Sequence, residues 1–177
     1  MAVRRKHIRN LVEKLLIQHR IDKPPVDVEQ LAVSLGIKVQ YEPADDDLCG
    51  FLLRDVDQHR ILIGVNKNHS SNRRRFTISH EVGHFFLHEQ GKVHVDYRFR
   101  LKVTDEGSSK GSSEEEKEAN LFAAELLMPV NFVKQDLAEV EALDLVDDAI
   151  LGDLAERYAV STQAMAFRLA YLNYIQL

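Results

Sequence analysis

The 177-residue sequence holds a single cysteine, Cys49, which excludes a disulfide framework and sets the expectation of a reducing cytoplasm. Long apolar runs are missing as well: no window approaches the roughly 20 residues that cross a bilayer. The basic start, Arg4-Arg5-Lys6, leads into an amphipathic stretch. A signal peptide would need an unbroken apolar segment and a small-residue cleavage site there. No membrane association is expected. A surplus of positive charge is also absent: 23 Lys and Arg against 28 Asp and Glu leave a formal net charge of −5. That balance offers no general attraction to nucleic acid or to anionic lipid. Glycine (8) and proline (4) are sparse, as in ordinary soluble globular chains. A chain of this length buries one core, with room for a small appended subdomain.

What is present is periodic. Ile8, Leu11, Val12, Leu15 and Leu16 predict a helix over residues 4–20, closed by Pro24-Pro25. A short helix capped by Asp27 and stopped by Gly36 should follow, then a strand from Ile37 to Tyr41. GFLLRDVDQHRILIGVN reads as a hairpin. Its second run, Ile61 to Val65, is expected as an exposed edge onto which an extended peptide could add. From Glu89 to Ser113 the pattern dissolves, ending in a Ser/Gly segment at 104–113. A long helix runs from near Glu114 to Met128-Pro129, and the rest is helical, with Ser161 as an N-cap. Helices around a small mixed or antiparallel sheet make an α+β protein. The expected division is residues 1–130 and a C-terminal, helix-turn-helix-like helical subdomain at 131–177.

His80-Glu81-Val82-Gly83-His84 matches H-E-x-x-H. Histidines at i and i+4 share a helix face and can reach one zinc ion, with the intervening glutamate as general base. Ile78, Val82, Phe85 and Phe86 form an apolar stripe roughly opposite His80 and His84. A catalytic zinc needs a third protein ligand. A histidine six residues after His84 would serve, but Gln90 stands there, so the ligand is sought in SSEEEKEANLFAAELLMP. Helical phase favours Glu116, which shares its face with Asn120, Ala123, Ala124 and Leu127. Glu118 is the alternative, although it falls with Glu114, Leu121 and Glu125 on a face that reads as solvated. Asn120, one turn from Glu116, is placed to orient a ligand histidine. His88 reads as a C-terminal histidine meeting the helix dipole. Zinc is the expected ion, with Mn2+ and Fe2+ as alternatives.

The blocks RRRFTISHEVGHFFLH and EKEANLFAAELLMP, with weaker similarity in VEQLAVSLGIKV and LAERYAVSTQAMAFRL, resemble the ImmA/IrrE family of metallopeptidases. The resemblance implies a zincin-like catalytic domain and a zinc-dependent endopeptidase. Its implied substrates are helix-turn-helix transcriptional repressors of phage, mobile-element or stress-response systems. By the same resemblance His80 and His84 match the paired ligands, Glu81 the catalytic glutamate and Glu116 the acidic ligand. Tyr97, Arg98, His94 and His88 are candidates to stabilise an oxyanion or contact substrate.

Two other readings stand beside this one. A non-catalytic metal-binding regulator would use the same ligands to bind a repressor without cutting it. A DNA-binding protein would use LAERYAVSTQAMAFRL. The segment 136–177 carries Asp136, Glu139, Glu141, Asp144, Asp147, Asp148, Asp153 and Glu156 against Arg157 and Arg168. It cannot neutralise phosphates, so no direct nucleic-acid partner is expected. Arg4 to Arg9 and Arg73 to Arg75 read as surface cations, and Cys49 as a small buried hydrophobe. Nothing in the sequence sets the oligomeric state.

Overall fold

The first amphipathic segment forms helix α1 (Arg5–Gln18), which buries Ile8, Val12, Leu15 and Leu16. The computed structural model describes residues 3–55, 60–88, 93–97, 112–138 and 147–176, with the backbone alone at 93–97, 112 and 113. Helix α2 (Val28–Ser34) starts where the Asp27 side chain accepts a hydrogen bond from the Gln30 amide at 2.9 Å. It ends where Gly36 takes a left-handed φ of +77°, a conformation glycine adopts without strain. The chain then enters β1 (Ile37–Glu42), followed by β2 (Leu48–Asp55), β3 (Arg60–Asn66), α3 (Ser71–Leu87) and β4 (Val93–Tyr97). Helices α4 (Ser112–Leu127), α5 (Val130–Asp136), α6 (Asp148–Tyr158) and α7 (Thr162–Tyr171) complete the order. Among the described residues no helix is long and apolar enough to cross a membrane.

The four strands form one mixed sheet in the order β1-β3-β2-β4. β1 runs parallel to β3, with Ile37 opposite Ile61, and β2 is antiparallel to both β3 and β4. The fold is α+β, as the sequence predicts. Two expectations need correction. β3 is not an edge: it lies inside the sheet between β1 and β2. Its run of buried residues, Ile63 to Asn66, is the pattern of a strand covered on both faces. The stretch after Glu89 is not wholly patternless, because Val93–Tyr97 pairs with β2. That strand exists through a non-local partner, which local periodicity does not register. The 104–113 segment falls outside the described residues except for the start of α4.

Helix α3 packs against both the sheet and α4. Its N-cap Ser70 accepts from the Arg73 amide. At its other end the Arg54 guanidinium, from β2, donates to the carbonyls of His84 (2.8 Å), Phe85 (3.0 Å) and His88 (2.9 Å). A cation on the last free carbonyls satisfies orphan acceptors and complements the helix dipole. Gly83 permits the α3–α4 approach: a Cβ there would lie 3.1 Å from the Phe122 Cβ and 3.2 Å from the Ala119 Cα.

The acidic face of α4 is not solvated. Glu125 is buried and accepts from Arg168 at 2.7 and 3.1 Å and from Arg9 at 3.1 Å. Glu118 is buried against Arg4. The basic N-terminal arm therefore spends Arg4 and Arg9 on ion pairs with α4 rather than on open surface. Arg75 likewise donates to the carbonyls of Ala159 and Val26. Burial would by itself raise the Glu125 carboxyl, but the hydrogen bonds and charge of Arg168 and Arg9 hold it below its ordinary 4.5. Glu125→Gln is expected to destabilise the fold by about 3–5 kcal/mol in urea denaturation, because it strands the buried Arg168 charge. A carboxyl lowered in the folded state stabilises above its unfolded value and loses that contribution as pH falls through its folded one. The gap between wild type and variant should therefore narrow below pH 4.5.

Candidate metal centre

His80 and His84 project from α3 toward α4, where Glu116 meets them. Nε2 of His80 lies 3.3 Å from one Glu116 oxygen, and Nε2 of His84 lies 3.2 Å from the other. The two Nε2 atoms are 3.0 Å apart. A tetrahedral ion with bonds of about 2.0–2.1 Å separates its ligand atoms by about 3.3 Å. The Nε2–Nε2 separation and the two Nε2–oxygen separations, each to a different Glu116 oxygen, are of that size, and two imidazoles with one carboxylate form a zinc-type donor set. The ligand atoms of all three residues lie within 4.8 Å of one another.

Burial does not follow the apolar stripe alone: Ile78 and Val82 are buried, and so is the opposite, histidine-bearing side. His80, Glu81 and His84 are at most 1% exposed, while Phe85 and Phe86 are only half-buried. Phase along a helix states which residues share a side. Here α4 covers the histidine side, so both sides of α3 face protein.

The outer nitrogens of the histidines are also held. Nδ1 of His80 lies 3.1 Å from Oδ1 of Asn120, and Nδ1 of His84 lies 3.1 Å from Nδ1 of His88. Nε2 of His88 reaches a Glu118 oxygen at 3.2 Å. Glu118 in turn accepts from the Arg4 amide at 2.8 Å and from its guanidinium at 2.6 Å. The Arg4 hydrogen bonds hold the Glu118 carboxyl at about 2 against the opposing effect of burial, so it is an anion at neutral pH. A chain His84–His88–Glu118–Arg4 therefore runs from the centre to the start of the polypeptide. Nothing local in the sequence announces it, since Arg4 and Glu118 stand 114 positions apart.

Glu118 is thereby turned away from the centre, and Glu116 is the carboxylate beside the histidines. His88 sits at the C-cap of α3, where it contacts side chains as well as the helix end. Arg98 and the side chains of His94 and Tyr97 lie outside the described residues. Cys49 is buried beside Arg73, whose Nη2 donates to its sulfur at 3.1 Å, and it does not belong to the His80–His84–Glu116 group.

A zincin-like α+β fold with two histidines and a glutamate converging between α3 and α4 defines a metallopeptidase-type domain. The family model of the M78 peptidases, described as the IrrE N-terminal-like domain, matches residues 32–170, and the chain belongs to this family. No curated protein sequence matches it significantly. A solved structure of a Mycobacterium tuberculosis transcriptional regulator superposes with a TM-score of 0.60 at 16% identity. The match covers 93% of this chain and 46% of that one, so this chain spans under half the regulator's length. At that identity the likeness is one of fold.

Proposed function

We propose that the chain is a zinc-dependent endopeptidase of the cytoplasm, cutting a peptide bond in a protein substrate. The substrate class suggested by the family resemblance is a helix-turn-helix transcriptional repressor. The convergence of His80, His84 and Glu116, with Glu81 next to His80 on the same helix, carries this reading.

The three residues would hold one divalent ion, which when bound polarises a carbonyl and makes water more acidic. Glu81 then acts as the base that takes the proton of the attacking water and delivers it to the departing amine. Asn120 and His88 set the tautomers. Donation of the His80 Nδ1–H to Asn120 leaves the Nε2 lone pair directed at Glu116. For His84 to ligate through Nε2, its Nδ1–H must be donated to His88. The proton of His88 then sits on Nε2, facing the Glu118 anion that Arg4 maintains. Every proton in the chain has one consistent position.

His88→Leu is expected to weaken zinc binding about 10- to 100-fold, read by competition with a chromophoric chelator. His88→Asn, which can both accept from His84 and donate to Glu118, should recover most of that loss. Equal affinities for wild type and His88→Leu would remove His88 from this role.

Helices after residue 131 act in this proposal as a protein-docking subdomain. In 147–176 there is no lysine. Arg168 is buried on Glu125, and Arg157 pairs with Asp136 at 2.9 Å. Little positive charge remains for a phosphate backbone.

The deciding experiment is incubation with the repressor encoded nearest its gene, with and without chelator, read by mass. Two fragments that vanish with chelator support the endopeptidase. An intact repressor that nevertheless co-purifies with the zinc-loaded chain would replace it with a non-catalytic regulator.

A further inference from the structure

A cavity of about 690 Å³ opens beside His80. Its walls come from three helices: Phe76 and Thr77 of α3, Leu121 and Ala124 of α4, and Ala164 and Phe167 of α7. Small side chains at Thr77, Ala124 and Ala164 leave the space that larger residues would fill. Five large hydrophobic residues are exposed among the described ones, and three of them, Phe76 (37%), Phe167 (59%) and Tyr171 (38%), line this cavity. Exposed aromatics gathered at one concave site mark a binding surface, where scattered ones would not.

The α7 wall is fixed in advance. Arg168 is clamped to Glu125 of α4 by two hydrogen bonds and donates a third, from Nε, to the Met128 carbonyl at 3.0 Å. Arg75 of α3 holds the Ala159 carbonyl in the turn before α7. A wall seated by buried ion pairs loses little freedom when something binds to it.

We propose that this cavity is a side-chain subsite for one or two bulky apolar residues, of the leucine, methionine or phenylalanine type, flanking the bond presented to the metal centre. The proposal rests on the endopeptidase reading and assigns its specificity. His80 and Asn120 line the cavity and also belong to the centre, so the two are continuous. A peptide occupying both would place a carbonyl near His80 and the adjoining side chain between α3 and α7. The carboxamide of Asn72, exposed at the rim of the lining, can pair with a peptide main chain, which a fatty chain does not offer. The apolar lining and the acidic composition of 136–177 disfavour DNA. Helix α7, which resembles a recognition helix in sequence, is here a wall for substrate.

The test uses the methionines. There are three in the chain, and Met128 lines the cavity while Met165 is buried in the core. With ¹³C-methyl methionine in the full 177-residue chain, the Met128 signal is followed during titration with acetyl-Leu-Phe-amide, acetyl-Gly-Gly-amide, acetyl-Glu-Glu-amide, decanoate and a DNA duplex. The expected result is a saturable Met128 shift with the Leu-Phe peptide, at least about tenfold tighter than with the other two peptides, and a still Met165 signal. Phe167→Ala, at an exposed position that tolerates substitution, and Ala164→Trp, which fills the cavity, should each weaken that binding by about tenfold or more. Equal binding of all three peptides, tightest binding of decanoate or DNA, or unchanged affinity in both variants overturns the subsite. Zinc affinity measured in parallel separates the two ideas: its absence would sink the endopeptidase and leave the Met128 result standing, because the titration needs neither metal nor cleavage.

Discussion

Glu81→Gln is expected to reduce repressor cleavage by about 10²–10⁴-fold, the range contributed by a positioned acid–base group. Zinc affinity should stay within about twofold, because Glu81 lies outside the ligand set. Glutamine keeps the shape of the side chain but cannot take a proton from water. Glu81 is fully buried, so the isosteric change avoids a cavity in α3. The two readouts together decide the assignment. Retained zinc with lost cleavage identifies Glu81 as the proton carrier. Wild-type cleavage by the variant would remove it from the mechanism, and loss of both zinc and cleavage would make it a structural residue.

Glu116→Ala should lower zinc affinity by about 10³-fold, roughly 4 kcal/mol, because two imidazoles alone cannot close a tetrahedral site. Glu118→Ala tests the competing assignment. Its carboxylate contacts His88 and Arg4 and reaches the centre only through His84. Its removal should therefore cost about 10- to 100-fold, the scale of an outer hydrogen-bond partner. Competition titrations on both variants give the comparison. A larger loss for Glu118→Ala than for Glu116→Ala would reverse the roles of the two glutamates.

Helix existence and caps were legible because they are local. Asp27 and Ser161 each accept from an amide three residues on, an interaction contained in four residues of sequence. The i, i+4 spacing of His80 and His84 is local too. Helical phase joined Glu116 to Asn120 and the alanines, and Glu116 and Asn120 contact His84 and His80 in the fold. The same phase argument misjudged Glu118 and Glu125. It correctly grouped them on one face but assigned that face to water, when Arg4, Arg9 and Arg168 cover it. These arginine partners lie over 40 residues away in either direction, beyond any periodic signal. β3 was misplaced for the same reason, since strand order depends on which segments pair.

The sequence by itself determined the helices, the first three strands, the α+β class and the two motifs, because spacing along an element dictates which side chains share a face. Only the tertiary structure decided what each face meets. It set His80, His84 and Glu116 within ligand distance of one another. It also extended His84 through His88 and Glu118 to Arg4, and it placed α7 along the cavity beside His80. Periodicity names a side of a helix, but burial and charge on that side depend on neighbours that only the folded chain supplies.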